Sequence, residues 1–574
     1  MILSSRSILL GLTMLTAGAL ADASAAVPRH AAAHRSGGDA MPPGLASDLL
    51  DGQFAMSESD VDRAADYFLR AVALDPNNQD LIQQAFVACL MADRPDAVRL
   101  ARRLPENPAA LLLLADVDAK AGNWDGAEAK FRALPRQGVT QFLQPLLIAW
   151  ALQGGGHTDA ALSSLRPYVE GQRFRAVYAL HAALIADLAN RSADAARYYR
   201  IAQTDFGGTN LRLAQTIASW QAREGHTAEA EQTLRSVADS ASDMAIALPA
   251  LIANDRHRVV AHATDGIAEA YLALAAALRQ QEASDFSVLL LRLSLQLRPD
   301  LTPSRLLLSD IFAVNKNPQT ALGVLASIGA DDPLAGVVRM RRAALLDTMG
   351  KSEDAVRDLD QIARDYPDSA EPWAEIGDID RNKHRYTDAI AAYDKAIQRQ
   401  GATPLRSSWP LFYERGVAYE RSHQWPKAEA DMERALQLSP DEPYVLNYLG
   451  YSWADMGVHL TRAKAMIERA AELKPNDGSI VDSLGWVELR QGDTVTAVKT
   501  LERATELEPE DAEINGHLGD AYWAAGRKME AEYQWRRALT LNPEPEDAAK
   551  LEARLHDNGL PPVDSAASGD SHVQ

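Results

Sequence analysis

The sequence predicts an all-α fold: a superhelical solenoid of about 14 helix-turn-helix units, closed at its end by a capping helix. Three observations predict it. The first is a period of 34 residues, visible in Ala321, Ala355 and Ala389, in Ala463, Ala497 and Ala531, and in Pro475, Pro509 and Pro543. The second is the content of each period: two short apolar runs at helical spacing with a turn residue such as Gly526 between them. The third is composition, since 47% of the 574 residues are hydrophobic but only 6% are aromatic, and alanine is abundant.

Taken in order, residues 1–25 read as an export signal. Arg6 supplies the positive start, Ile8 to Leu20 the apolar stretch, and Ala23-Ser24-Ala25 a small-x-small cleavage site, so the mature chain is expected to begin at Ala26. The alternative is that the segment is retained as an anchor. No later apolar run approaches the roughly 20 residues of a membrane span. Residues 26–44 mix Pro, Gly and Ala without periodicity and read as a flexible lead-in.

Residues 45–265 read as a degenerate helical array. Gly52, Ala64, Phe68, Ala71 and Pro76 form one good unit, and Ala127 with Phe131, Ala195 with Tyr199 and Ala230 with Leu234 mark later second helices. Residues 241–265 fit worst and are expected to hold a longer irregular connection. Residues 266–543 read as the regular array. In its last unit Leu518, Gly519 and Tyr522 share one face of a first helix, and Ala531, Trp535 and Ala538 share one face of a second. The small Gly519 and Ala531 let the two axes approach, Tyr522 and Trp535 fill the space beside them, and Pro543 ends the second helix. This period and pattern are those of the tetratricopeptide repeat (TPR). Residues 544–558 read as the capping helix and 559–574 as a disordered tail.

Composition also excludes functions. With 58 Lys and Arg against 79 Asp and Glu the net charge is −21, which disfavours nucleic acid as a partner. The excess is concentrated in residues 301–574, which carry 31 basic and 46 acidic side chains and would steer basic partners. The single cysteine, Cys89, excludes an internal disulfide and a cysteine metal cluster. There is no phosphate-binding loop and no HExxH motif. Gly450-Tyr451-Ser452-Trp453-Ala454 lacks the second glycine of a nucleophile elbow and falls mid-helix. His257 and His262 are five apart, on different helix faces, and His517 reads as a groove-lining polar residue rather than a general base. No enzymatic activity, cofactor or metal is expected.

Binding remains. First-helix positions that alternate with the core line the concave groove of such an array: Asn447, Tyr451, Asp455, Asp482, Trp486, Arg490, Glu513, Asp520 and Trp523. Tyr451 and Trp486 admit two readings, partner anchors or packing against the next unit, and Trp523 is assigned to packing. The Lys/Asn arrangement that clamps a peptide carboxylate is absent, so that mode of binding is not expected.

The runs NYLGYSWADMG (447–457), IVDSLGWVELRQGD (480–493) and HLGDAYWAAGRKMEAEYQWRRAL (517–539) resemble the C-terminal repeats of bacterial envelope TPR proteins. That resemblance implies a periplasmic adaptor that binds a carboxyl-terminal-processing protease and its substrates, among them cell-wall hydrolases. Some members are lipoproteins. This chain has no lipobox cysteine, so lipid anchoring is not implied. An assembly scaffold for envelope polysaccharide or secretion machinery is the alternative.

Overall fold

The computed structural model describes residues 44–556, apart from 172–173, 207–210, 241, 280–283 and 402–403. The expected signal segment, the expected tail, the last two residues of the predicted capping helix (557–558) and all of the lead-in except Gly44 lie outside the described residues. Every regular element among the described residues is helical, and fourteen helix-turn-helix pairs are followed by one unpaired helix. The described chain divides into two compact units, with the boundary between Pro367 and Asp368.

The N-terminal unit starts with six pairs: α1 (Leu45–Ser57) and α2 (Val61–Leu74), α3 (Gln79–Met91) and α4 (Asp96–Ala101), α5 (Pro108–Lys120) and α6 (Trp124–Ala133), α7 (Thr140–Gly154) and α8 (Thr158–Glu170), α9 (Arg175–Leu188) and α10 (Ser192–Phe206), α11 (Leu211–Arg223) and α12 (Thr227–Ser240). The expected irregular connection follows, as a 3₁₀ segment Ser242–Ala247, the short α13 (Leu248–Ala253) and a non-helical stretch to residue 262. Three more pairs complete the unit: α14 (Ala263–Arg279) and α15 (Ser284–Leu297), α16 (Thr302–Val314) and α17 (Pro318–Leu325), α18 (Ala335–Thr348) and α19 (Ser352–Asp365). The α14–α15 pair leaves the stack and lies against α3, α5, α7 and α9, all first helices, while α18 packs on the 3₁₀ segment.

The C-terminal unit stacks five pairs in order: α20 (Glu371–Asn382) and α21 (Tyr386–Arg399), α22 (Trp409–Arg421) and α23 (Trp425–Leu438), α24 (Pro443–Asp455) and α25 (Leu460–Leu473), α26 (Gly478–Arg490) and α27 (Thr494–Leu507), α28 (Ala512–Ala524) and α29 (Lys528–Thr540). The closing helix is α30 (Pro545–His556), whose Leu551 joins the Leu518–Trp535 core.

Two local rules repeat through the array. A glycine on the first helix faces one large side chain of the second. An added Cβ would stand 2.8 Å from Phe68 at Gly52, 2.5 Å from Tyr393 at Gly377, 2.5 Å from Leu501 at Gly485 and 2.5 Å from Trp535 at Gly519. The second rule is the turn, which places one residue in the left-handed region. Gly122, Gly156, Gly225, Gly350, Gly457, Gly492 and Gly526 fill that place in some pairs, and Ser59, Asp93, Asn190, Lys316, His384 and His423 fill it in others. The next N–H then reaches the carbonyl five residues back, from Arg527 to Tyr522 at 2.8 Å and equally from Arg94 to Cys89 at 2.8 Å. The degenerate region therefore turns as the regular one does, although three of its turn residues, Ser59, Asp93 and Asn190, are not glycine. Between α24 and α25 the turn has one extra residue, with Gly457 and His459 both at positive φ. That residue explains why Leu449-Gly450 lies 35, not 34, residues before Leu484-Gly485.

Candidate functional site

The sequence-predicted site residues all lie in the C-terminal unit, on α24, α26 and α28. These first helices pack side by side, α24 on α26 and α26 on α28. Each starts at a good signal, Pro443 at the first turn of α24 and the Asp477 and Asp511 carboxylates accepting from the first N–H groups of α26 and α28.

The structure brings most of these residues into one cluster and turns several of them inward. Asp482, Trp486 and Asp520, expected to line an open groove, are buried. His517 is buried with them. Its Nδ1 lies 2.8 Å from Asp482 Oδ2, and its ring stacks on the Trp486 indole at 4.2 Å between centroids and 21° between planes. The Tyr451 ring lies 6.1 Å from His517, and its hydroxyl donates to Glu513 Oε1 at 2.7 Å, bridging from α24 across to α28. Trp535 Nε1 donates to Asp520 Oδ1 at 2.8 Å, and Arg554 of α30 pairs with Asp520 Oδ2 at 2.7 Å. His517 thus serves as an ion-pair partner inside the array and not as a lining residue of an open groove. For Trp486 the packing reading holds, because its face is covered by the imidazole.

The electrostatics follow from burial and opposite charge. Burial pushes the His517 imidazole down, but the Asp482 carboxylate, helped by Glu513 and Asp520, overrides it and raises the group to about 9. Burial raises the Asp482 and Asp520 carboxyls, opposed by His517 and, for Asp520, by Arg554. Two carboxylates facing one imidazolium and one guanidinium leave the buried cluster balanced in charge.

Other predicted residues remain at the surface. Asp455 and Glu513 are exposed, and Asn447, Tyr451, Arg490 and Trp523 are half-buried. Arg490 donates to the Asp455 carbonyl at 3.2 Å. Trp523 leans on Trp535 at 5.5 Å with Lys528 over its other side at 4.8 Å, which is the packing role assigned to it. Three buried polar atoms on α24 and α26 have no hydrogen-bond partner: Asn447 Oδ1, Asp482 Oδ1 and Trp486 Nε1. Asn447 and Asp482 hold the same place in successive repeats.

Sequence reasoning missed an aromatic ladder on the same face. Trp409, Tyr413 and Tyr448 meet edge to face at 6.2 and 5.7 Å, and the Tyr448 hydroxyl donates to Glu420 at 3.0 Å. Tyr413 occupies on α22 the place that Asn447 and Asp482 occupy on α24 and α26, so the repeat register could have found it. Arg554 was also missed. It lies 34 residues beyond Asp520, one period away with opposite charge.

Family models described as tetratricopeptide repeat match residues 94–138, 340–404 and 483–553, and a second such model matches residues 409–442. These segments are tetratricopeptide repeats. Together with the all-helical pairs they establish the predicted fold class. The chain is similar to several solved repeat proteins. YrrB, described as a TPR protein with an unusual peptide-binding site, is 20% identical over 34% of this chain and 97% of its own, with a TM-score of 0.27. The Cut9–Hcn1 hetero-tetramer of the APC/C is 14% identical over 89% of this chain and 96% of that chain, at 0.38. A tetratricopeptide repeat protein from Parabacteroides merdae is 13% identical over 42% and 94%, at 0.34. No curated protein matches the chain. Among the described residues no helix is long and apolar enough to cross a membrane, and no group of three His, Cys, Asp or Glu side chains is placed to hold a metal ion.

Proposed function

We propose that the protein is a non-enzymatic scaffold that binds protein segments on the first-helix face of its C-terminal unit. One observation carries the reading. Asn447 Oδ1, Asp482 Oδ1 and Trp486 Nε1 are buried and unpartnered on the adjacent first helices α24 and α26, and Asp455 on α24 and Glu513 on α28 are exposed. A buried polar atom without a partner costs about 1–3 kcal/mol, which an entering backbone carbonyl or N–H would recover. Two acceptors and one donor at repeat spacing suit an extended chain, and the exposed carboxylates suit Lys and Arg side chains on it.

The chain acts outside the cytoplasm, exported by the segment ending at Ala25. Its service is that of an adaptor, presenting cell-wall hydrolases to a processing protease. Support for this finer version is the similarity of residues 447–457, 480–493 and 517–539 to envelope adaptors of that kind.

The test is affinity capture from crosslinked envelope extract with the mature chain, an Asn447→Ala variant and an Asp455→Lys variant. The expected result is a protease and its hydrolase substrates captured by the parent chain and depleted at least severalfold with both variants. Equal capture by all three would remove the site. Capture of export or polysaccharide-synthesis components without a protease would replace the adaptor by an assembly scaffold.

A further inference from the structure

The N-terminal unit carries its own occupant. In arrays of this kind the first helices line the concave face. Here α14 lies on α5, α7 and α9, and α15 lies on α3 and α5, all of them first helices. Gly266 of α14 backs onto Trp150 of α7 so closely that any Cβ would overlap the indole. Tyr271 donates to Asp116 Oδ1 at 2.9 Å, 155 residues away along the chain. Glu269 accepts from Arg212 Nε at 3.0 Å, and Lys120 donates to the Gln296 carbonyl at 3.0 Å.

The seat is specific but not fully satisfied. Trp150 Nε1 donates to His181 Nδ1 at 2.9 Å, which puts the imidazole proton on Nε2, and that atom has no partner. Asp116 Oδ2 has none either, although both residues are almost fully buried. A permanent core leaves few such atoms. The body of the seat is apolar, with Ile267, Ala268, Leu290 and Leu291 fully buried, and these unpartnered polar atoms are its weak points; the pair is reached through the irregular stretch 254–262.

We propose that the concave face of the first six pairs is an acceptor surface for a helical hairpin, and that α14–α15 fills it in cis as a displaceable occupant. The fitting partner is a hairpin in trans whose first helix presents a glycine to Trp150, a carboxylate to Arg212 and a tyrosine hydroxyl to Asp116. A tethered occupant acts at an effective concentration on the order of millimolar, so the face is shut to micromolar competitors until the cis pair is weakened.

The probe is a fluorescent peptide of residues 254–301, added to the full chain and to its Gly266→Trp variant. That substitution drives the cis helix off Trp150 and leaves the acceptor face intact. The variant is expected to bind the peptide roughly tenfold or more tightly than the parent chain. A peptide that itself carries Gly266→Trp should bind neither. Hydrogen exchange should show protection lost in α14 and α15 and kept in α5, α7 and α9. Equal peptide affinity of both chains would overturn the proposal. So would loss of protection throughout α1–α12, which would make the pair part of the core. Tyr271→Phe is the milder variant: it should raise peptide binding severalfold with the fold unchanged, and no rise would count against displacement.

Discussion

His517 lies flat on Trp486, 4.2 Å between ring centroids, while its Nδ1 holds Asp482 at 2.8 Å. One imidazole therefore joins α26 to α28 twice, through a stacked face and through a charged edge. The pair interlocks successive repeats at the place where the sequence points to an open groove.

The first prediction concerns pH. The imidazole is raised from 6.5 to about 9 on folding, so its contribution is complete below pH 6.5 and is lost as pH rises through 9. Burial of the Asp482 carboxyl subtracts from the gain. The net loss between pH 6 and pH 10 is expected to be on the order of 2 kcal/mol. Urea midpoints of the C-terminal unit at the two pH values measure it, and His517→Gln should flatten the difference. A midpoint that does not fall in the parent chain would contradict the ion pair.

Removing one partner should cost more than removing both. Asp482→Leu leaves a buried imidazole without its counter-charge, at about 3–5 kcal/mol. The double variant Asp482→Leu with His517→Leu should recover a large part of that. A double-mutant cycle by thermal melting gives the coupling, and additive losses would show that the two side chains act independently.

Glycines in this fold are not equivalent. A Cβ at Gly519 would stand 2.5 Å from Trp535, whereas at Gly323, inside α17, it would meet nothing within 4 Å. Gly519→Ala is expected to destabilise by about 1–3 kcal/mol through overpacking. Gly323→Ala should stabilise by up to about 1 kcal/mol through helix propensity. The ordering of the two melting temperatures decides the matter.

The turn ladder offers a stabilising change. Lys316 holds φ at 59° where other pairs place glycine, as at Gly350 with 76°. A left-handed conformation costs a side-chain-bearing residue about 1 kcal/mol, so Lys316→Gly should raise the unfolding midpoint of the N-terminal unit, by somewhat less than that cost because glycine also frees the unfolded chain. A lower midpoint would mean that the lysine side chain makes a compensating contact.

Much of the site was readable once the period was known. Asp482 and His517 are 35 residues apart and Asp520 and Arg554 are 34 apart, so opposite charges one period apart already mark contacts between neighbouring helices. Tyr451 and Glu513 are separated by 62 residues, and their bond depends on a side chain reaching over an intervening helix. Which groove residues stay in water was not readable, because Asp482, Asn447 and Tyr413 hold the same register position. One is buried by a histidine, one is half-covered, and one meets aromatic neighbours edge to face.

The sequence by itself determined the repeat: helix lengths from apolar spacing, the close approach of each pair from its glycine and alanine, the stops from proline, and about fourteen pairs from the period. These are local effects, decided within some forty residues of chain. Only the tertiary structure decided that α14–α15 folds back onto the face of α5, α7 and α9, and that Asp482 and Asp520 are buried against His517 and Arg554. The first depends on contacts between helices more than a hundred residues apart, such as Tyr271 with Asp116, and the second on which buried charges of neighbouring first helices find partners.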